Sequence, residues 1–305
     1  MAFKKNIPIY DIKTISHLKR GDILISRFAP YLESRKKLCL PHKHDFFHLL
    51  LFTRGAGNHL IDFEKFVVRP YQIYFMNPGQ MHSWDFEGEV DGYVINFSIP
   101  FFQSFLLNPD YVQQLPCFSG ILGNSVINLP QNLQAEVQNI FERIIEESEM
   151  GNQLSLDMIK ALLLQLFITV GRLTFESTSS IVKSNNCSML RKFLNLIEKN
   201  VSILKFPKDY AELLHVTPNH LNALCKELLG KSAGEVIRDR LLLEAKRLMV
   251  NVDLSISEIA YELNFRDNSY FSKFFKKHAG RTPEEFRIHA QEPNWGLLTH
   301  QDYLT

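Results

Sequence analysis

The chain has 305 residues, long enough for two domains with separate cores, and its 45% hydrophobic and 22% charged content fits a soluble globular protein rather than a disordered or fibrous one. The formal charge of +1 hides an asymmetry: residues 183–290 carry 18 Lys/Arg against 13 Asp/Glu, and residues 1–182 carry 16 against 18. A mildly basic C-terminal module following a slightly acidic one is expected if only the former meets phosphates, although a solvated helical bundle can carry the same charge.

The opening MAFKKNIPIY turns polar too soon for a secretory signal. Up to about residue 98 the pattern is one of strands. Short aromatic and branched runs (Ile23–Phe28, Phe46–Thr53, His59–Phe63, Gln72–Met76, Tyr93–Phe97) are separated by turn material such as Arg54-Gly55-Ala56-Gly57 and Asn77-Pro78-Gly79. Close spacing with Gly/Pro punctuation predicts a sandwich or barrel. From Pro100 the texture becomes helical. Leu133–Glu149 carries one apolar stripe through Val137, Ile140, Phe141, Ile144 and Ile145, and Leu154–Phe175 is apolar nearly all round. Its most apolar part, Ala161–Val170, contains Gln165 and is too short to span a bilayer, so no membrane partner is expected. The helices over about 131–175 are expected to include a homodimer surface, with Leu156, Ile159, Leu163, Leu166 and Phe167 as candidates, although burial inside the domain gives the same pattern. Glu176–Ser188 is small and polar, which sets a linker at 177–188 between a first domain (1–176) and a second (189–290), with a tail at 291–305. The cysteines (Cys39, Cys117, Cys187, Cys225) form no close pair that suggests a zinc knuckle or redox motif, and reduced thiols in a cytoplasm are the plain expectation.

The last third repeats itself at an offset of 50 residues. Leu221, Leu224, Cys225, Lys226, Gly230, Lys231, Ser232, Glu235 and Val236 align without gaps on Phe271, Phe274, Phe275, Lys276, Gly280, Arg281, Thr282, Glu285 and Phe286; upstream the offset falls by one, and Tyr210-Ala211 aligns on Ile259-Ala260. Each copy reads as helix, turn, helix. The first runs Lys208–Leu214, then Thr217 as N-cap with Pro218 in the first turn, then a helix to Leu229 stopped by Gly230. The second runs Ser257–Leu263, then Asp267 as N-cap, then Asn268–Ala279 stopped by Gly280. Burying the apolar face leaves Asn219, Asn222, Ala223 and Lys226 outside in the first copy, and Ser269, Ser272, Lys273 and Lys276 in the second. A helix over Ser232–Val250 would be about 28 Å long and could hold the two second helices about 34 Å apart, one turn of B-DNA.

The segment SISEIAYELNFRDNSYFSKFFKKHAGRTPEEFR (Ser255–Arg287) resembles the C-terminal half of the AraC/XylS family of bacterial transcription regulators. The one departure singled out is Asn264, where the family usually has Gly; the turn needs positive φ there, and Asn tolerates it. The resemblance implies an α+β chain of two domains, a cupin-like β-barrel followed by helices and an all-α bundle with two helix-turn-helix motifs joined by a long helix. It further implies base reading by Asn219, Asn222 and Ala223 in the first copy and Asn268, Ser269, Ser272 and Lys273 in the second. Lys226, Arg266 and Lys276 are placed for phosphates. The partners implied are double-stranded promoter DNA, a small-molecule effector of unknown identity and, for an activator, RNA polymerase.

In the first domain, Pro41-His42-Lys43-His44, then His48, and Pro78-Gly79-Gln80-Met81-His82 form the most chemical-looking cluster. His-x-His on one strand points both rings to one side. The cluster resembles the two cupin motifs, with His48 at the position of their Glu or that position missing. These four histidines are candidates to line an effector pocket. Three or four imidazoles could bind a transition metal, but the reading assigns no metal, no cofactor and no catalytic residue. The alternatives are a cupin-type metalloenzyme with a helical appendage and an effector-independent DNA-binding regulator.

Overall fold

The computed structural model describes residues 7–15, 22–102, 105–106, 108, 111–112, 115–118, 122–176, 184–251 and 253–290. The chain divides into two compact units, one of residues 8–61 and 66–182 and the other formed chiefly by the residues after 182.

The first unit is built on a sheet of eight strands: β1 (Ile9–Tyr10), β2 (Ile23–Arg27), β3 (His42–His44), β4 (Phe47–Ile61), β5 (Glu64–Val67), β6 (Gln72–Met76), β7 (Met81–Phe97) and β8 (Val126–Asn128). Short helices α1 (Ile12–Ile15), α2 (Phe28–Glu33) and α3 (Leu122–Ser125) interrupt them, and α4 (Gln131–Met150) and α5 (Ser155–Glu176) follow. The order is β1-β3-β7-β4-β6-β8, with β2 also on β7 and β5 on β4. The first residues of β7 pair with β3 and its last five with β2, while β4 runs along its other edge.

Both faces of this sheet are buried. Leu49, Leu51, Ile73, Phe75, Tyr93, Ile95 and Phe97 pack with Val137, Phe141, Ile144 of α4 and Leu163, Leu166, Phe167 of α5. The alternate residues Leu50, Phe52, Tyr74, Met76, Trp84 and Val94 form a second core with Phe28 and Tyr31 of α2. Strands covered on both sides read as continuous apolar runs, as Leu49–Phe52 does. Arg27 and the Tyr93 hydroxyl both bond to Glu142, tying α4 to the sheet.

Two expectations change here. The glycines of Arg54–Gly57 are not a turn: β4 runs through them, with register shifts against β7 on either side of Arg54. Gly57 has φ 110°, and a Cβ there would lie 2.2 Å from the Asp85 carbonyl oxygen, so glycine permits the two strands to approach closely just after the register shifts. The expected dimer residues Ile159, Leu163, Leu166 and Phe167 are buried in their own domain, and Leu156 packs against the same core. The stripe on α5 is therefore intramolecular.

The second unit contains α6 (Ser184–Asn200), α7 (Pro207–Leu213), α8 (Pro218–Leu229), α9 (Ala233–Met249), α10 (Ile256–Glu262), α11 (Asn268–Ala279) and α12 (Pro283–His289). α6 begins inside the segment read as linker; residues 177–183 of that segment and the tail 291–305 lie outside the described residues. The 50-residue repeat now has a physical basis. Thr217 and Asp267 cap α8 and α11 through their side chains, and Gly230 and Gly280 end them with φ of 68° and 75°. The aligned pairs Ser232/Glu235 and Thr282/Glu285 are capping boxes that start α9 and α12. Small Ala211 and Ala260 are buried where each pair of helices meets. Asn264 adopts φ 54° as the turn requires, and the equivalent residue of the first copy, His215, does the same at 55°.

Candidate nucleic-acid interface and histidine cluster

In α8 the buried face consists of Leu221, Leu224 and Cys225, and in α11 Phe271 and Phe275. The faces left to solvent match at the repeat offset: Asn219 with Ser269, Ala223 with Lys273, Lys226 with Lys276, all exposed. Positions four and seven residues after the first lie on one helix face, so each helix presents one outward stripe beginning in its N-terminal turn. Asn268 and Arg266 are exposed beside the start of α11. Amide, hydroxyl and amine groups in this arrangement can read base edges, while Lys226, Lys276 and Arg266 can reach phosphates.

Asn222 and Ser272 are only partly exposed. The Asn222 Oδ1 accepts a hydrogen bond from the Ala233 backbone N–H at 3.0 Å, which engages its acceptor within the domain and leaves its amide NH2 for other partners. The sequence reading omitted another pair at the same offset, His220 and Tyr270, both exposed next to the proposed readers. Applying the repeat to outward as well as inward positions would have found them.

The histidine cluster forms through strand pairing. His42 lies directly opposite His82 in the β3–β7 ladder, and His48 opposite Asn96 in β4–β7. His42, His44, His48 and His82 are all buried, with a fifth, His59, that the sequence reading did not single out. His44 Nε2 lies 3.1 Å from His42 Nε2 and 2.8 Å from His82 Nε2. Three of the outer nitrogens have partners, while Nδ1 of His44 and of His59 is buried without a hydrogen-bond partner among the described residues. His42 Nδ1 is 2.7 Å from the Leu40 carbonyl, His48 Nδ1 is 2.7 Å from Asn96 Oδ1, and His82 Nδ1 is 3.1 Å from His59 Nε2. Trp84 packs edge-on to His42 and His82. Burial pushes His42 down to about 4 and His48 to about 3, and burial with neighbouring imidazoles holds His44, His59 and His82 well below the usual range. The rings are therefore neutral near pH 7.

Among the described residues no helix is long and apolar enough to cross a membrane. A family model described as an AraC-like ligand binding domain matches residues 33–167, and one described as a helix-turn-helix domain matches residues 210–288. The chain is 22% identical over 251 residues to the HTH-type transcriptional activator RhaR of Enterobacter sp. (strain 638), covering 82% of this chain and 88% of that one. It is likewise 22% identical over 273 residues to RhaR of Yersinia pestis bv. Antiqua (strain Angola), covering 88% and 93%. Among solved structures, fatty-acid-bound ToxT from Vibrio cholerae aligns at 14% identity and a TM-score of 0.41 over 90% of this chain and 97% of that one. Two domain models in this order, spanning together about two thirds of the sequence, agree with the internal repeat and the two-faced sheet: the chain belongs to the AraC family of DNA-binding transcription regulators.

Proposed function

We propose that this protein is an effector-controlled activator that reads promoter DNA through the outward stripes of α8 and α11. The observation that carries the reading is the matched placement of Asn219/Ser269, Ala223/Lys273 and Lys226/Lys276 on two helices of one compact unit. At 17 residues, α9 is about 26 Å long, a length compatible with readers in successive major grooves. The AraC-like ligand-binding model over residues 33–167 supports an effector in the barrel, and the naming of the curated relatives as activators supports the sign. An effector regulates only if it binds the two functional states unequally. The reading includes a cytoplasmic homodimer that engages RNA polymerase, and no enzymatic activity. The test is a gel-shift titration at fixed salt with the chain's own upstream DNA against scrambled DNA. Preference for the former supports the reading, and equal affinity refutes it.

A further inference from the structure

The two helix-turn-helix copies share a single helix. α7 and α8 of the first copy pack on α9, and so do α10 and α11 of the second. Packing against one helix resists separation but gives way to small sliding rotations about that helix. A bond made directly between the copies resists those rotations as well. Lys205 makes such a bond. It lies in the first copy, just before α7, yet its Nζ donates to the Asn264 carbonyl at 2.6 Å and sits 3.8 Å from the centre of the Phe265 ring, both in the turn of the second copy.

Both ends of this contact are anchored. On the first-copy side, the buried Tyr210 donates its hydroxyl to the Leu204 carbonyl at 2.8 Å, and its ring packs edge-on against Phe193. On the second-copy side, Phe265 is buried against Tyr270, Phe271 and Phe274 of α11. Any movement of the Lys205 loop is therefore delivered to α11 itself. The accepting carbonyl lies just past the C-terminal end of α10, where the helix dipole favours a cation. Burial lowers Lys205 to about 8, so the amine is still charged at pH 7 and donates to the carbonyl while resting on the ring.

We infer that Lys205 is a positioning residue that fixes the distance and angle between α8 and α11, and so the spacing between the two base motifs that the protein accepts. This rests on the reading of α8 and α11 as DNA readers. Adding or removing one base pair between the motifs shifts them by about 3.4 Å and rotates them by about 34°. Copies bonded to each other reach the shifted site only by breaking that bond, which adds to the penalty for the wrong spacing. A hydrogen bond from a charged amine resting on an aromatic face is worth about 10- to 100-fold in such an equilibrium. Lys205 itself reads no base and needs no contact with DNA.

The test uses the full chain at pH 7 and fixed salt. The parent selects duplexes from a randomised library, and gel-shift titrations then compare the selected motif pair with its spacer intact and with one base pair added or removed. The parent should bind the altered spacers more weakly. Lys205→Met, which keeps the stem but loses donor and charge, should shrink that penalty about 10-fold and leave base preference within each motif unchanged. Lys205→Arg should restore most of the discrimination, and Lys205→Gln serves in place of the methionine variant if that one does not fold. A parent that binds all spacers alike overturns the inference, as does a folded methionine variant with the parent's spacing profile, whatever its urea midpoint. Equal weakening at every spacer with a shallower salt dependence also overturns it and makes Lys205 a phosphate contact. Paired motifs with a spacing preference that Lys205→Met retains remove the clamp only, whereas a parent that selects no motif removes DNA reading and the clamp together.

Discussion

The side chain of Asn222 in α8 caps the backbone of Ala233 at the start of α9, with its Oδ1 3.0 Å from that N–H. The same turn is held by the Ser232–Glu235 capping box, so three side chains fix the angle between α8 and α9. Asn222→Ala removes a hydrogen bond to a helix N-terminus, a loss of about 1 kcal/mol. It should lower the urea midpoint of the helical unit and weaken cognate and scrambled DNA by similar factors. A loss confined to one base position would instead make Asn222 a direct reader.

Lys273 should behave differently. It stands exposed on the outward stripe of α11, where the first copy has Ala223. Lys273→Ala is expected to cost about 1–3 kcal/mol on the cognate site and to relax preference at one base position. Selection of bound sequences from a randomised library with parent and variant proteins checks this. An unchanged sequence preference takes Lys273 out of the reading set.

For Lys226 and Lys276 the expected signature is electrostatic. Replacing either by Gln should weaken all DNA sequences alike and reduce the slope of log affinity against log salt by about 1. A salt series of gel shifts is sufficient, and an unaltered slope places the residue away from phosphate.

Asn264 occupies the left-handed region with φ 54°; its backbone N–H donates to the Tyr261 carbonyl at 2.8 Å, and its own carbonyl accepts from Lys205 Nζ at 2.6 Å. Asn264→Gly should leave stability within about 1 kcal/mol of the parent. Asn264→Val should cost about 1–3 kcal/mol, because a β-branched residue is strained there. Chemical denaturation of the two variants compares them directly, and equal midpoints would show that this turn relaxes without strain.

Gly57→Ala tests the close approach of β4 and β7 beside the register shifts that replaced an expected turn. The added methyl meets the Asp85 carbonyl at 2.2 Å with φ at 110°, and separating the strands should cost about 2–3 kcal/mol. A barrel transition at the parent's temperature would contradict the close approach.

These residues also show what the sequence made legible. α11 runs from Asn268 to Ala279 as read, because Asp267 starts it and Gly280 stops it through local geometry that needs no tertiary context. The glycines of Arg54–Gly57 carry the same local chemistry as a turn, and only the pairing of β4 with β7 reveals a bulge. α5 looked interfacial because an apolar stripe does not record whether its cover comes from the same chain, and here sheet and α4 supply it. His42, His44 and His82 were visible through spacing. His59 was not, since 23 residues separate it from His82 and only the β4–β7 ladder brings them together.

Whether α8 and α11 read DNA in sequence is decided by selecting bound fragments of the source genome with the purified full chain at fixed salt. Enriched fragments should share two short motifs about 10 base pairs apart and bind at least about 1,000-fold more tightly than scrambled DNA. Recovery of fragments with no shared motif, at affinities equal to scrambled DNA, would contradict reading by α8 and α11.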